Sequence, residues 1–263
     1  MADNAEATCR TITAYLGNKL GIATEFVDCI PWQERERQLD AGLIHMCWIC
    51  GLPYVWKADS GNSTVETCVA PVMAAARYAG APVYYSDIVV HRNSMYRSFA
   101  DLRGSSLAYN EPNSHSGFNI VRHHLATLGE TGGYFSRAVE SGAHQKSLHM
   151  IVNAEIDASV VDSTVLEAEL AQSPLLQDEI RVIGTLGPSP MPPWIMLKTL
   201  APELRAGLRD TLLAMHSDTA GAHILAQWGI SHFTAVDDAA YDPIRAMANE
   251  AHGIALTQEH RTR

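Results

Sequence analysis

The residues best placed to do chemistry lie in one stretch, Tyr109-Asn110-Glu111-Pro112-Asn113-Ser114-His115-Ser116-Gly117. Ser105 to Tyr109 reads as a strand, Pro112-Asn113 as a turn, and a helix opens near Ser116. That order sets backbone N–H groups and two serine hydroxyls at the positive end of a helix dipole. Such a site binds oxyanions without lysine or arginine. Taken alone, the local sequence favours a simpler role for Ser114 or Ser116, as helix caps.

Other chemistries leave little trace. Cys47-x-x-Cys50 stands without a second Cys or His pair at zinc spacing, and its place on a strand makes it a pair of core thiols. No phosphate loop or dinucleotide fingerprint occurs. A hydrolase elbow centred on Ser116 would need glycine where Ser114 stands. His123-His124 falls on a helical pattern and reads as solvated. No metal, no cofactor and no catalytic residue is expected.

The net charge of -10 and pI near 5.6 argue against a nucleic-acid binder, which needs a basic footprint. A pocket inside an acidic protein can still be locally positive. No stretch reaches the apolar length of a membrane-spanning helix. The opening Met1-Ala2-Asp3-Asn4-Ala5-Glu6 lacks the basic and apolar regions of an export signal. Five cysteines are too few for a disulfide scaffold.

The elements that must position the site alternate strand and helix, the pattern of α/β layering. Cys9, Ile12, Leu16 and Leu20 mark a helix ended by Gly21. A strand is expected over Ala23 to Val27, a helix from Pro31 to Leu39, a strand over Leu43 to Ile49, and a turn at Cys50-Gly51-Leu52-Pro53. From Ser86 onward, strands are expected at 88–90, 105–109, 135–139, 158–161 and 182–184, with helices at 98–102, 116–128, 145–153 and from Thr164. Pro188 to Pro193 reads as a rigid connector, Trp194 to Leu197 as a strand, and the remainder as helices at 202–215, 220–228 and 238–252.

Several segments, in order, resemble the phosphonate and phosphite substrate-binding proteins of ABC transporters, a branch of the type II periplasmic binding proteins. Trp48 with Gly51-Leu52-Pro53-Tyr54 is similar to that family's "W…G-x-x-P/S-Y" turn, and Tyr84-Tyr85-Ser86-Asp87-Ile88-Val89-Val90 to its "Y-x-S-x-I-V-V" strand. Ser98 to Gly104 resembles "S-x-x-D-L-x-G", Pro112 to Gly117 the "P-x-S-T-S-G" anion loop, and Ser141-Gly142-Ala143-His144 the "S-G-x-H" turn before Asp157 to Asp162. Together they span roughly residues 5 to 200.

The resemblance implies two α/β lobes, each a mixed sheet flanked by helices. Residues 1–85 and 188–263 would form lobe one, residues 86–187 lobe two, with the ligand in a cleft that closes by a hinge. It implies that Ser114, His115, Ser116 and Gly117 grip a small phosphorus oxyanion, with His144, Tyr54 and Tyr84 completing the cage. Asp162 joins this ligand set, and Trp48 and Trp194 would line an organic substituent or pack in the core. Three departures stand out. His115 replaces the family's threonine, Asp87 replaces an apolar residue, and the family's first strand has no counterpart before the first helix.

The implied partners are a small anionic ligand and an ABC-transporter permease, the protein being a monomer or weak dimer, periplasmic or membrane-associated on the exterior if an export signal was removed and otherwise cytoplasmic. Two other readings stay open at this point. One is an enzyme on the same fold, a cofactor-precursor synthase or a hydrolase using Ser116, His144 and Asp162. The other is a cytosolic ligand sensor.

Overall fold

In a computed structural model describing residues 3–258, the chain runs α1 (Asp3–Leu20), α2 (Trp32–Asp40), β1 (Met46–Trp48), α3 (Gly51–Ala58), β2 (Val65–Met73), β3 (Val83–His91), β4 (Ser106–Tyr109), α4 (Ile120–Thr127), β5 (Arg137–Glu140), α5 (His144–Val152), β6 (Ala158–Asp162), α6 (Ser163–Gln172), α7 (Leu176–Glu179), β7 (Ile180–Pro190), β8 (Trp194–Leu197), α8 (Pro202–Ala214), α9 (Thr219–Gln227), β9 (Ile230–Ala235) and α10 (Asp242–Glu250). These elements form two compact units. The first holds residues up to Val83 and Pro190–Asp242, the second Tyr84–Ser189 and the chain from Pro243 onward.

The first unit is built on an antiparallel sheet of order β1-β8-β2-β9. Cys9, Ile12 and Leu16 recur at helical spacing on α1, and this stripe buries against Leu208 and Leu212 of α8 and Trp194 and Met196 of β8. Glu66 on β2 receives Arg205 and Arg209 from α8, pinning that helix to the sheet.

The second unit has a mixed sheet of order β5-β4-β6-β3-β7. β4 runs parallel to β5 and β6, and β6 antiparallel to β3. Every residue of β6 is buried, as expected of a central strand covered on both faces. One face packs on Leu102, Val121, Leu125 and Phe135, the other on Leu148, Ile151 and Leu166. Where β4 and β6 begin side by side, the Asp157 carboxylate accepts from the Ser106 N–H and hydroxyl, fixing the start of β4.

The sequence expectations differ from this architecture in four places. Ala23 to Val27 is irregular chain and pairs with neither sheet, a cavity lying between it and the β1 edge. Two strands went unassigned, β2 and β9, which pair with each other. The short β9 lies between helical patterns that mask its period. Gly51–Ala58 is a helix rather than a turn, since Cys50 takes the cap position and Pro53 falls in the first turn, where a missing N–H costs nothing. The chain from Pro243 belongs to the second unit, not with the 188–263 segment of lobe one.

Arg122 of α4 explains that last difference. Its guanidinium donates to the Ala251 and Ile254 carbonyls at 2.8 Å each, while the Phe135 N–H donates to Leu256 and the Leu256 side chain enters the second unit's core. Arg122→Ala should therefore destabilise the protein by about 2–3 kcal/mol. Amide exchange at 251–256 should rise selectively; exchange there unchanged from wild type would contradict the anchoring role.

Candidate functional site

β4 delivers the chain to Tyr109, and the turn that follows is set by hydrogen bonds. The Ser114 N–H donates to the Glu111 carbonyl, and the Ser114 side chain caps the next helix by accepting from the Gly117 N–H at 3.1 Å. His115–Asn119 forms one wide turn in which the Asn119 N–H donates to the Ser114 carbonyl. α4 follows directly. Gly117 is required here: a Cβ would lie 2.1 Å from Asn110 Oδ1 and 3.2 Å from His144 Cε1.

A second turn is fastened to the first. β5 pairs in parallel with β4, and beyond it the Ser141 and Gly142 N–H groups donate to the Tyr109 and Asn110 carbonyls at 2.8 Å. Gly142 has φ of 85°, a left-handed conformation suited to glycine, and α5 begins two residues later at His144. His144 Nε2 thereby comes 3.1 Å from Ser116 Oγ, which in turn lies 3.3 Å from Ser114 Oγ. Ser114, Ser116 and His144 form a buried polar cluster at the start of a helix. His144 Nδ1 is buried without a hydrogen-bond partner among the described residues, as are both amide atoms of the neighbouring Gln145.

The two histidines differ in what remains available. The Asn119 amide N–H donates to His115 Nδ1 at 3.2 Å, so the ring proton sits on Nε2 and is given to Ser189 Oγ at 3.0 Å. Both His115 ring nitrogens are engaged by the protein, while His144 keeps one in reserve. Burial pushes each imidazole down to about 3, so both are neutral at pH 7.

The remaining candidates fall in several places. Asp162 caps α6, accepting from the Thr164 N–H and hydroxyl at 2.8 and 2.7 Å. Burial pushes its carboxyl up to about 6, with Asp87 adding to the rise. Asp87 is itself buried and accepts from the Thr185 hydroxyl. Tyr84 is fully buried at the start of β3.

Tyr54, Trp48 and Trp194 belong to the first unit. The Tyr54 hydroxyl donates to Asp238 at 2.6 Å. Trp48 and Trp194 stack at 6.4 Å with ring planes 4° apart, and the Trp48 indole N–H donates to the Pro192 carbonyl. Cys47 is buried and Cys50 partly so, both as free thiols.

Sequence reasoning missed Asn110, Asn119, Gln145, Ser189 and Asp238. Asn119 stands one helical turn from His115, a spacing that could have signalled the pair. Ser189 lies 74 residues from its partner, and no local pattern announces it.

The depressed histidines have a consequence for stability. Each is neutral when folded and binds a proton near pH 6.5 when unfolded, so its contribution is full above that pH and is lost as pH falls toward 3. Asp162, raised when folded, acts in the opposite sense between about pH 4 and 6. His144→Asn should therefore flatten the rise of stability with pH by about 1.4 kcal/mol per pH unit across that window, measured by urea denaturation. An unchanged slope would mean that the ring titrates as it does in water.

Comparison with known proteins identifies the fold and the family. The fold matches PhnD1 from Prochlorococcus marinus in complex with methylphosphonate, with a TM-score of 0.83 and 16% identity over 96% of this chain and 94% of that one. It also matches a binding protein component of an ABC phosphonate transporter from Pseudomonas aeruginosa, with a TM-score of 0.80 and 19% identity over 94% and 82%. XAC2383 from Xanthomonas citri bound to ATP aligns at 0.70 and 15% identity over 93% and 91%. The fold is that of the type II periplasmic binding proteins. Residues 2–241 match the family described as ABC transporter, phosphonate, periplasmic substrate-binding protein, and the chain belongs to that family.

Proposed function

We propose that the chain captures a small phosphorus oxyanion, a phosphonate, phosphite or phosphate ester, at the Ser114–Ser116–His144 cluster and presents it to an ABC-transporter permease in the periplasm. The observation that carries this reading is the buried Ser116–His144 pair at the start of a helix, with His144 Nδ1 unpartnered among the described residues. A buried polar group without a partner costs about 1–3 kcal/mol, and an incoming oxyanion removes that cost. The donors are neutral, so recognition rests on hydrogen bonds and the helix start rather than on ion pairing. Gly117 lets the turn close against Asn110, and Asp162 holds the start of α6 in the same unit.

The first-unit candidates carry less of the proposal. The Tyr54 hydroxyl is given to Asp238, and Trp48 and Trp194 are held by each other and by Pro192. Tyr84 stays in the proposed set through its place on β3.

One arrangement speaks against a serine hydrolase. A triad needs a carboxylate on the far nitrogen of the histidine. His144 Nδ1 has no such partner among the described residues, and Asp162 Oδ1 is committed to Thr164. Binding without turnover is the simpler use of the cluster.

Methylphosphonate titrated calorimetrically into wild type and into the Ser114→Ala/Ser116→Ala double variant tests the reading. Removing both hydroxyls should weaken binding by about 2–4 kcal/mol, with loss of the cap costing about 1 kcal/mol of stability. Equal affinities in the two proteins would overturn the assignment.

A further inference from the structure

We propose that one corner of the second unit is a docking patch that rests on a bilayer carrying anionic phospholipid. The corner lies where β3 ends and β7 begins. Two of its residues, Met95 and Leu175, are 81% and 80% exposed, the most exposed large apolar side chains among the described residues. Three arginines stand around them. Arg92 Nη2 donates to the Gln177 carbonyl at 2.6 Å and Arg97 Nη1 to the Ser94 carbonyl at 2.7 Å. Arg181 Nη2 donates to the Ser94 and Tyr96 carbonyls at 3.0 and 2.8 Å.

None of these guanidinium groups forms an ion pair with a carboxylate among the described residues. Two neighbouring carboxylates are otherwise engaged. Asp101 accepts from the Arg97 and Ser98 N–H groups, and Glu179 faces His91 at 3.7 Å. Arg97 and Arg181 share one acceptor, the Ser94 carbonyl, so two positive charges are held together on a single oxygen. Burial, with the like charges of Arg97 and Arg92 adding to it, holds Arg181 below its ordinary range. In a chain of net charge -10, an anionic surface finds positive charge here without displacing a carboxylate.

The loop is shaped to protrude. Arg181 holds the carbonyls on either side of Met95 toward β7, and the Met95 side chain is left in solvent. Leu175 takes the N-cap position of α7, two residues before the carbonyl that Arg92 holds. An acidic protein segment would neutralise the arginines, but side chains four-fifths exposed offer it no groove. A bilayer interface takes up single protruding apolar side chains while arginines reach the lipid phosphates. β3 runs antiparallel to β6, and β6 parallel to β4, so the corner lies at the opposite end of the sheet from the Ser114–Ser116–His144 cluster. Docking leaves that cluster uncovered.

Co-sedimentation of the full chain with lipid vesicles tests this. At low salt the protein should pellet with mixed phosphatidylglycerol and phosphatidylcholine vesicles and stay in solution with phosphatidylcholine alone. Raising the salt should release it. Arg92→Gln/Arg97→Gln should weaken partitioning by at least about tenfold, and Met95→Ser/Leu175→Ser by about tenfold. All four side chains are exposed, and matched urea midpoints check that each variant keeps its fold. The proposal fails if wild type ignores the anionic vesicles, binds both lipids equally, or is matched by either double variant. Retention by poly-glutamate without vesicle binding would assign the corner to an acidic protein segment and overturn the choice of a bilayer.

Discussion

The contact between Ser116 Oγ and His144 Nε2 is the interaction on which the arrangement of the second unit turns. It joins residues 28 apart through the parallel pairing of β4 and β5, whose ends lie side by side and open into helices at the same level. Ligand sites of open α/β sheets form in this position, beyond the carboxyl ends of parallel strands. Here the Ser141 and Gly142 N–H groups bind the two turns together before either helix begins, so the serine–histidine geometry is fixed by backbone rather than by flexible side chains. Pre-organisation of this kind spares a ligand the ordering of its own site.

Burial decides the chemistry. A charged imidazole in this setting would lose its hydration without gaining a carboxylate, and both rings are held neutral. His115 is drawn into a structural network with Asn119 and Ser189. His144 faces the serines. The apparent duplication of histidines thus separates into one residue that supports the turn and one with a nitrogen to offer.

Much of the second unit was legible in the sequence because its signals are local. The Tyr109-to-Gly117 stretch announces strand, turn and cap in order, and Ser141-Gly142 before His144 announces another turn. What could not be read depends on distant partners. Ser189 is placed against His115 by the fold of β7, and Asp238 reaches Tyr54 across 184 residues. The first unit was harder. β2 and β9 form a pair in which neither strand is recognisable without the other, and Ala23 to Val27 has strand-forming residues but stays outside the sheet. Arg122 holds the C-terminal segment through carbonyls alone, an interaction with no sequence signature at the receiving end.

The central claim is that His144, as a neutral donor, meets the anion while His115 does not. Nitrogen chemical shifts of the imidazole rings, recorded at pH 7 while methylphosphonate is added, test it directly. The account predicts that the His144 resonances move on saturation and keep one protonated and one unprotonated nitrogen, while those of His115 stay in place. A His144 ring that becomes doubly protonated, or that does not respond while His115 does, would contradict it.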